Sequence, residues 1–345
     1  MTWDVLVVGG GIAGVSVAAE LARDRAVLLV EAEPVLAKHT TGRSAAVYIP
    51  SYGSPVVRAL TAASYPLFGD GILSPRPMLW VGSATEVAHM DSTEPVSIDD
   101  AVGMCSALRA DRIEAAAVDN GTMDIDVMGL HQRYVRELRA RGGEIRQGAP
   151  VTAISRDGAA WRVNLGNEEI AVGTVVNAAG PWADKVAELA GVPALGLRPL
   201  RRTIAIAVGK PVDPGWPLVS DVADTFYFRP EGPGVLVSPA DETPAEPGDA
   251  KPDEVDVALA VERVNHVTTL ELRSVRTAWA GLRTFAVDRE PVLGALPDHP
   301  GFAFVAGQGG YGIQMGPALA VAAARIISGE PAGIDPASVS PARLR

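Results

Sequence analysis

The chain has 345 residues, 48% hydrophobic and 21% charged, and its 30 Lys and Arg against 41 Asp and Glu leave a net charge of −11. That balance argues against nucleic acid or an anionic membrane as partner, and the length suggests two domains. The single cysteine, Cys105, excludes an intrachain disulfide and suits a reducing cytoplasm, the expected location. The first apolar run starts within five residues of Met1, so no signal peptide is expected. No stretch of 18 apolar residues occurs, Ala318 to Ile327 being interrupted by Arg325, so no transmembrane segment is expected either.

Val5 to Val8 is long enough for one buried strand. Gly9-Gly10-Gly11-Ile12-Ala13-Gly14 follows at once and fits G-x-G-x-x-G. Ile12 to Ala22 reads as a helix, and Val27 to Val30 as a second strand ending in Glu31. Glu31 lies 31 − 11 = 20 positions past the middle glycine, the interval of a dinucleotide site. Gly9 permits the tight turn, Gly11 lets a pyrophosphate approach the backbone, and Gly14 lets the helix pack closely. The helix N-terminus offers unpaired N–H groups to phosphate, and Glu31 can accept hydrogen bonds from a ribose. The motif alone does not separate NAD from FAD.

Lys38 to Ala46 is a small, polar, glycine-containing segment that either lines a cofactor or is simply a polar loop. Val47 to Pro55 is a loop with two tyrosines, and Val56 to Leu67 reads as a helix. Leu79 to Val81 predicts a strand and Ser97 to Leu108 a helix. Asp126 is positioned to cap a long helix, with Val127, Leu130, Tyr134 and Leu138 at amphipathic spacing. Gly142-Gly143 stop it, and Glu144 to Arg146 return as a strand. Val151 to Val172 alternates, with turns at Asp157-Gly158 and Gly166-Asn167, and predicts a three-stranded antiparallel meander. Thr174 to Gly180 is a buried strand ending in tiny residues, which leave room for a ligand at the carboxyl edge of an open sheet. Arg202 to Val208, Phe226 to Arg229 and Val235 to Ser238 predict a second, mostly antiparallel sheet. Pro239 to Pro252 reads as a mobile surface loop. Glu254 to Val264 is helical, Arg276 to Arg283 leads back toward the first domain, and Phe302 to Val305 is the last core strand. Gly307 to Gln314 is a second glycine turn, followed by the apolar helix Ala318 to Ile327. A helix end at this place suits a group that becomes anionic, as reduced flavin does, and a nicotinamide enzyme has no need of it.

Together these segments resemble the D-amino-acid-oxidase-like family of FAD enzymes, which includes glycine and sarcosine oxidases, and within it the D-arginine dehydrogenase branch. The stretches that carry the resemblance are His39 to Ala46, Ser51-Tyr52-Gly53, Leu73 to Pro77, Val176-Asn177-Ala178-Ala179-Gly180, Phe226-Tyr227, Trp279 to Arg283 and Gly307 to Gln314. The resemblance implies an α/β fold. A Rossmann-like FAD domain (1–46, 120–190 and 284–345) would be joined to a substrate domain with a mixed or antiparallel sheet (47–119 and 191–283). It implies noncovalent FAD, since no cysteine follows Cys105. The implied FAD contacts are Gly9, Gly11, Ile12, Ala13, Gly14, Glu31 and Ala32, then Thr41, Ser44, Ala45 and Ala46. Further along the chain they are Val151, Ala178, Ala179, Gly180 and Trp182, Arg283, and finally Gly309, Gly310, Tyr311, Gly312, Ile313 and Gln314.

The implied reaction is oxidative deamination of an amino acid by hydride transfer from the α-carbon to flavin N5. The resulting imine hydrolyses to a 2-oxo acid and ammonia, and oxygen or a quinone reoxidises the flavin. The family pattern places a carboxylate clamp on Arg202 and Arg283, with Tyr227 as a third donor and Tyr52 as a lid. A guanidinium suits a carboxylate because it presents two parallel N–H groups. Tyr227 as a sheet aromatic and Tyr52 as loop packing are the alternatives from the residues alone. Two positions depart from the pattern: Val47 stands where the family has a histidine, and Met78 where the arginine-specific enzymes have a glutamate. With Trp80 they predict an apolar substrate pocket, hence a neutral or apolar D-amino acid or a small secondary amine. His39, His89, His131, His266 and His299 are scattered and form no metal pattern.

Overall fold

A computed structural model describes residues 3–90 and 93–345. The first sheet has six strands, in the order Val292–Ala295, Phe302–Ala306, Thr174–Asn177, Val5–Val8, Val27–Val30 and Glu144–Arg146. All neighbours run parallel except the Val292–Ala295 edge. Val5–Val8, Val27–Val30 and Phe302–Ala306 are apolar at every position because both faces are covered. Val5 and Val7 point into one cluster with the helices Ile12–Leu21, Val127–Ala140 and Gly316–Ser328. Leu6 and Val8 point into another with Trp161 and Val163 of the meander and Val186 and Ala187 of the helix Ala183–Leu189.

The meander forms as its pattern predicts: Val151–Asp157, Ala160–Leu165 and Glu168–Val172 pair antiparallel in a sheet of their own. Two predicted helices are shorter than their apolar spacing suggests. The α-helix Pro55–Ser64 gives way to the 3-10 turn Tyr65–Leu67, where Pro66 cannot donate, and Ile98–Met104 stops at an extended Cys105. The helix Pro55–Ser64 packs in the same cluster as Ile12–Leu21, and Ser64 Oγ accepts from the N–H of Ala318 at 3.0 Å.

The second sheet is mixed. Its long strands Arg198–Val208 and Ser274–Phe285 pair antiparallel, as do Gly234–Ser238 and Tyr227–Glu231, whereas Leu218–Asp221 runs parallel to Met78–Gly82. Alternation sorts its residues. Leu79, Val81, Ala205 and Phe228 pack in one cluster with the helix Glu254–Val267, while Met78, Trp80, Ile204 and Tyr227 share the other face. That other face looks toward the carboxyl ends of the first sheet across a shared cavity.

The segment expected to be a mobile loop is pinned instead. Asp241 accepts from Thr203 N at 2.6 Å and Thr203 Oγ1 at 3.0 Å, and Thr243–Pro244 adds a short strand against Leu200 and Arg201. Arg43 reaches across to bond Ala250 O at 2.9 Å and the carboxylate of Asp249. Proline and acidic content signalled surface, but these acids have basic and hydroxyl partners that fix them. Among the described residues no helix is long and apolar enough to cross a membrane.

Candidate active site

A single cavity of about 500 Å³ runs from the first glycine turn to the inner face of the second sheet. At its dinucleotide end the turn is built from backbone contacts. Gly9 has φ +111°, and a Cβ on it would stand 2.5 Å from Ala178 O. Gly14 does not line the cavity; it lets the helix start beside the turn, because a Cβ there would overlap Gly9 O. Glu31 braces the same turn, accepting from Gly10 N at 2.7 Å and Glu33 N at 2.9 Å. Each carboxylate oxygen keeps a second lone pair for a ribose hydroxyl. Thr41 Oγ1 accepts from Ile12 N at 3.0 Å, leaving the N–H groups of Ala13 and Gly14 in the first helical turn without an intrahelical acceptor.

His131 is a support that spacing alone did not single out. It lies on the buried face of the helix Val127–Ala140, and its Nε2 is 3.0 Å from Gly10 O. The carbonyl only accepts, so Nε2 carries the proton of the neutral ring. Burial lowers its pKa, against an opposing pull from that carbonyl. The signal was present, since His131 falls four residues after Val127 on the apolar stripe. Asn177 ties the end of its strand to the next turn, donating to Ala183 O at 2.7 Å and accepting from Ala179 N at 3.3 Å.

Of the expected contacts, Ala32, Ser44, Ala45, Ala46, Val151, Ala179, Gly180 and Trp182 line the cavity, as do Gly309, Gly310, Gly312 and Ile313. Tyr311 does not. Its ring packs against Tyr52 at 5.3 Å and Phe285 at 6.2 Å between centroids. Gln314 lines the cavity, yet its amide is spent on Ile49 and on Thr61 Oγ1 at 3.1 Å, so it positions the Val47 to Pro55 loop. The second glycine turn is shaped by side chains: a Cβ on Gly310 would stand 2.9 Å from Cζ of Arg283.

Arg202, Arg283, Tyr227 and Tyr52 face the same end of the cavity, with Val47, Met78 and Trp80 beside them. Arg202 is 3% exposed; its Nε donates to Asp241 O at 2.9 Å, while its Nη2 has no hydrogen-bond partner. Burial alone would lower the pKa of Arg283, but Tyr227, Tyr52 and Asp224 around it raise it overall. Burial pushes the Tyr52 phenol up to about 12, so it stays protonated, 3.4 Å from Asp224 Oδ2. The pocket is not wholly apolar as expected: the indole N–H of Trp80 is buried and unpartnered on its wall. Tyr227 OH, Thr284 Oγ1 and Gln308 Nε2 on the same walls are likewise buried without partners among the described residues. Unpaired buried polar groups cost roughly 1–3 kcal/mol each, and their convergence on one cavity points to a polar ligand there.

A family model described as "FAD dependent oxidoreductase" matches residues 4–326. The chain belongs to that family. Its cofactor is FAD, and the turn, Glu31 and the unpartnered donors are a set that fits such a group. Among curated relatives, "FAD-dependent oxidoreductase domain-containing protein 1" of Bos taurus is 34% identical over 175 residues, covering 44% of this chain and 35% of that protein. Human mitochondrial sarcosine dehydrogenase is 25% identical over 217 residues, covering 57% of this chain and 23% of the relative. The matches thus span about a third or less of these two relatives. Among solved structures, L-proline dehydrogenase from P. horikoshii superposes with a TM-score of 0.88 at 19% identity, covering 99% of this chain and 98% of the other. Glycine oxidase from Geobacillus kaustophilus gives 0.86 at 20% identity, covering 98% of each. These likenesses establish the α/β family fold.

Proposed function

We propose that this FAD-dependent oxidoreductase oxidatively deaminates a neutral or apolar D-amino acid to a 2-oxo acid and ammonia. The observation that carries the reading is Arg202 and Arg283 facing one cavity with the hydroxyl of Tyr227, the same cavity that the dinucleotide turn enters. In this reading FAD is held noncovalently by segments 1–46, 120–190 and 284–345, and substrate by 47–119 and 191–283. Cys105 is fully buried among apolar groups of the second sheet, which supports the noncovalent link.

FAD supplies the acceptor for the hydride when bound. The two guanidinium groups hold the substrate carboxylate, and Tyr227 donates a third hydrogen bond to it. Val47, Met78 and Leu218 surround the side chain and exclude water. The substrate amine is neutral when the α-hydrogen leaves, so that its lone pair forms the imine, which water then hydrolyses. Tyr52, resting on Tyr311, closes over the substrate and remains a phenol throughout. Met78 offers no counter-charge to a basic side chain, and an unpaired guanidinium in this pocket costs on the order of 2–5 kcal/mol. Oxygen or a quinone takes the electrons onward.

A second reading, a small secondary amine as substrate, is favoured by the relative named sarcosine dehydrogenase. Anaerobic flavin bleaching across D- and L-amino acids, glycine, sarcosine and proline separates the two, and D-arginine as best substrate would overturn both. Arg202→Ala and Arg283→Ala should each raise KM thirtyfold or more, about 2 kcal/mol at least, with flavin content retained. An unchanged KM in both removes the clamp.

A further inference from the structure

At the second-sheet end, three charged side chains line the cavity: Arg202, Arg283 and Asp224. Asp224 sits in the turn between the strands Leu218–Asp221 and Tyr227–Glu231, with φ +52°. Aspartate and asparagine tolerate that region better than most residues. The turn is braced: Asp224 N donates to Asp221 O at 3.0 Å, and Arg263 from the helix Glu254–Val267 holds Thr225 O and, at 3.1 Å, Pro239 O. The half-exposed carboxylate stands 3.8 Å from Nη2 of Arg202 and 3.4 Å from the hydroxyl of Tyr52. Two other carboxylates act on Arg202, and both are engaged elsewhere: Glu242, at 3.6 Å, takes two hydrogen bonds of 2.8 and 3.0 Å from Arg289, and Asp241 accepts from Thr203 beside Arg201.

These two cations and one anion leave this end of the cavity with a net charge of +1. We infer that Asp224 is a specificity-determining residue that limits the site to ligands with a single carboxylate, by cancelling one guanidinium and repelling a second anionic group at the mouth. The inference rests on the carboxylate-clamp reading above. A monocarboxylate brings the site to neutrality. A dicarboxylate of similar length must place its second charge against Asp224 or leave it without a counter-ion.

The holoenzyme is titrated with butanoate and with succinate, and the perturbation of the flavin visible band gives a dissociation constant for each. The wild-type protein should favour butanoate. Asp224→Asn keeps the turn conformation and an acceptor for Tyr52 while removing the charge, and should move the ratio of constants at least tenfold toward succinate. Asp224→Ser, a second neutral replacement, should move it the same way. A ratio within twofold of wild type in both Asp224 variants overturns the inference while the clamp stands. A wild-type flavin perturbed by neither acid overturns the clamp, and this inference with it.

Discussion

At the first glycine turn the missing side chains of Gly9 and Gly14 make room for backbone. A Cβ on Gly14 would overlap Gly9 O, and one on Gly9 would press on the carbonyl of Ala178. At the second, they make room for side chains of the paired strand Ser274–Phe285: the ring of Phe285 fills the place of a Cβ on Gly309, and the guanidinium of Arg283 crowds that of Gly310. Backbone cannot yield without moving a helix or a strand, whereas the end of an arginine can swing. The same residue type therefore fixes the dinucleotide turn rigidly and, at the other end of the cavity, sets how an arginine presents itself.

The largest effect that would break this contrast is expected at Gly14. Gly14→Ala must separate the helix Ile12–Leu21 from the turn, and overpacking of this kind costs about 3 kcal/mol or more. The purified variant should contain little flavin and melt well below wild type. Normal flavin content with an unchanged melting temperature would show that the turn is as adaptable as its counterpart.

A smaller and different effect is expected at Gly310. Gly310→Ala displaces the guanidinium of Arg283 by contact with Cζ while leaving the dinucleotide turn untouched. Flavin content should stay at wild type, and the dissociation constant for butanoate should rise about tenfold, on the order of 1.4 kcal/mol. Flavin loss without a change in butanoate affinity would reverse the assignment of this turn.

The contrast also explains what could be read in advance. The first turn was legible because its spacing reports a local geometry: strand, turn, helix and acid lie within one short stretch, though Glu31 reads only as a ribose acceptor and its bond from Gly10 N was not foreseen. The meander and the strand Thr174–Asn177 were legible for the same reason, their period being local. The second turn was legible only as glycine content, since Phe285 and Arg283 reach it from the strand Ser274–Phe285, which pairs with Gln308–Gly309 but lies well apart from it in the chain. For that reason Tyr311 was placed against the cofactor although it packs on Tyr52 and Phe285. Asp224 carries no sequence signal beyond an acid in a turn; only the pairing of Leu218–Asp221 with Tyr227–Glu231 brings it to Arg202. The pinned segment after Ser238 was misread because Thr203 and Arg43, its anchors, lie elsewhere in the chain.

The two turns should also differ in how they answer to acid. His131 bonds Gly10 O beneath the first, and its pKa is lowered by burial, so folding favours the neutral ring. In the unfolded chain a histidine takes up its proton near pH 6.5. Stability from this group is therefore complete above about pH 6.5 and falls as pH drops below it toward the folded-state value, by up to about 1.4 kcal/mol per pH unit. The second turn is flanked by Tyr52, whose pKa near 12 leaves it neutral through that range. Melting temperatures of wild type and His131→Asn are compared at steps from pH 8 to pH 5, since asparagine can still donate to Gly10 O without titrating. Wild type should lose stability faster than the variant below pH 6.5, with flavin release rising in parallel and butanoate affinity of the retained holoenzyme unaffected. Parallel melting curves for the two proteins would place the acid sensitivity elsewhere and leave the first turn with no titrating support.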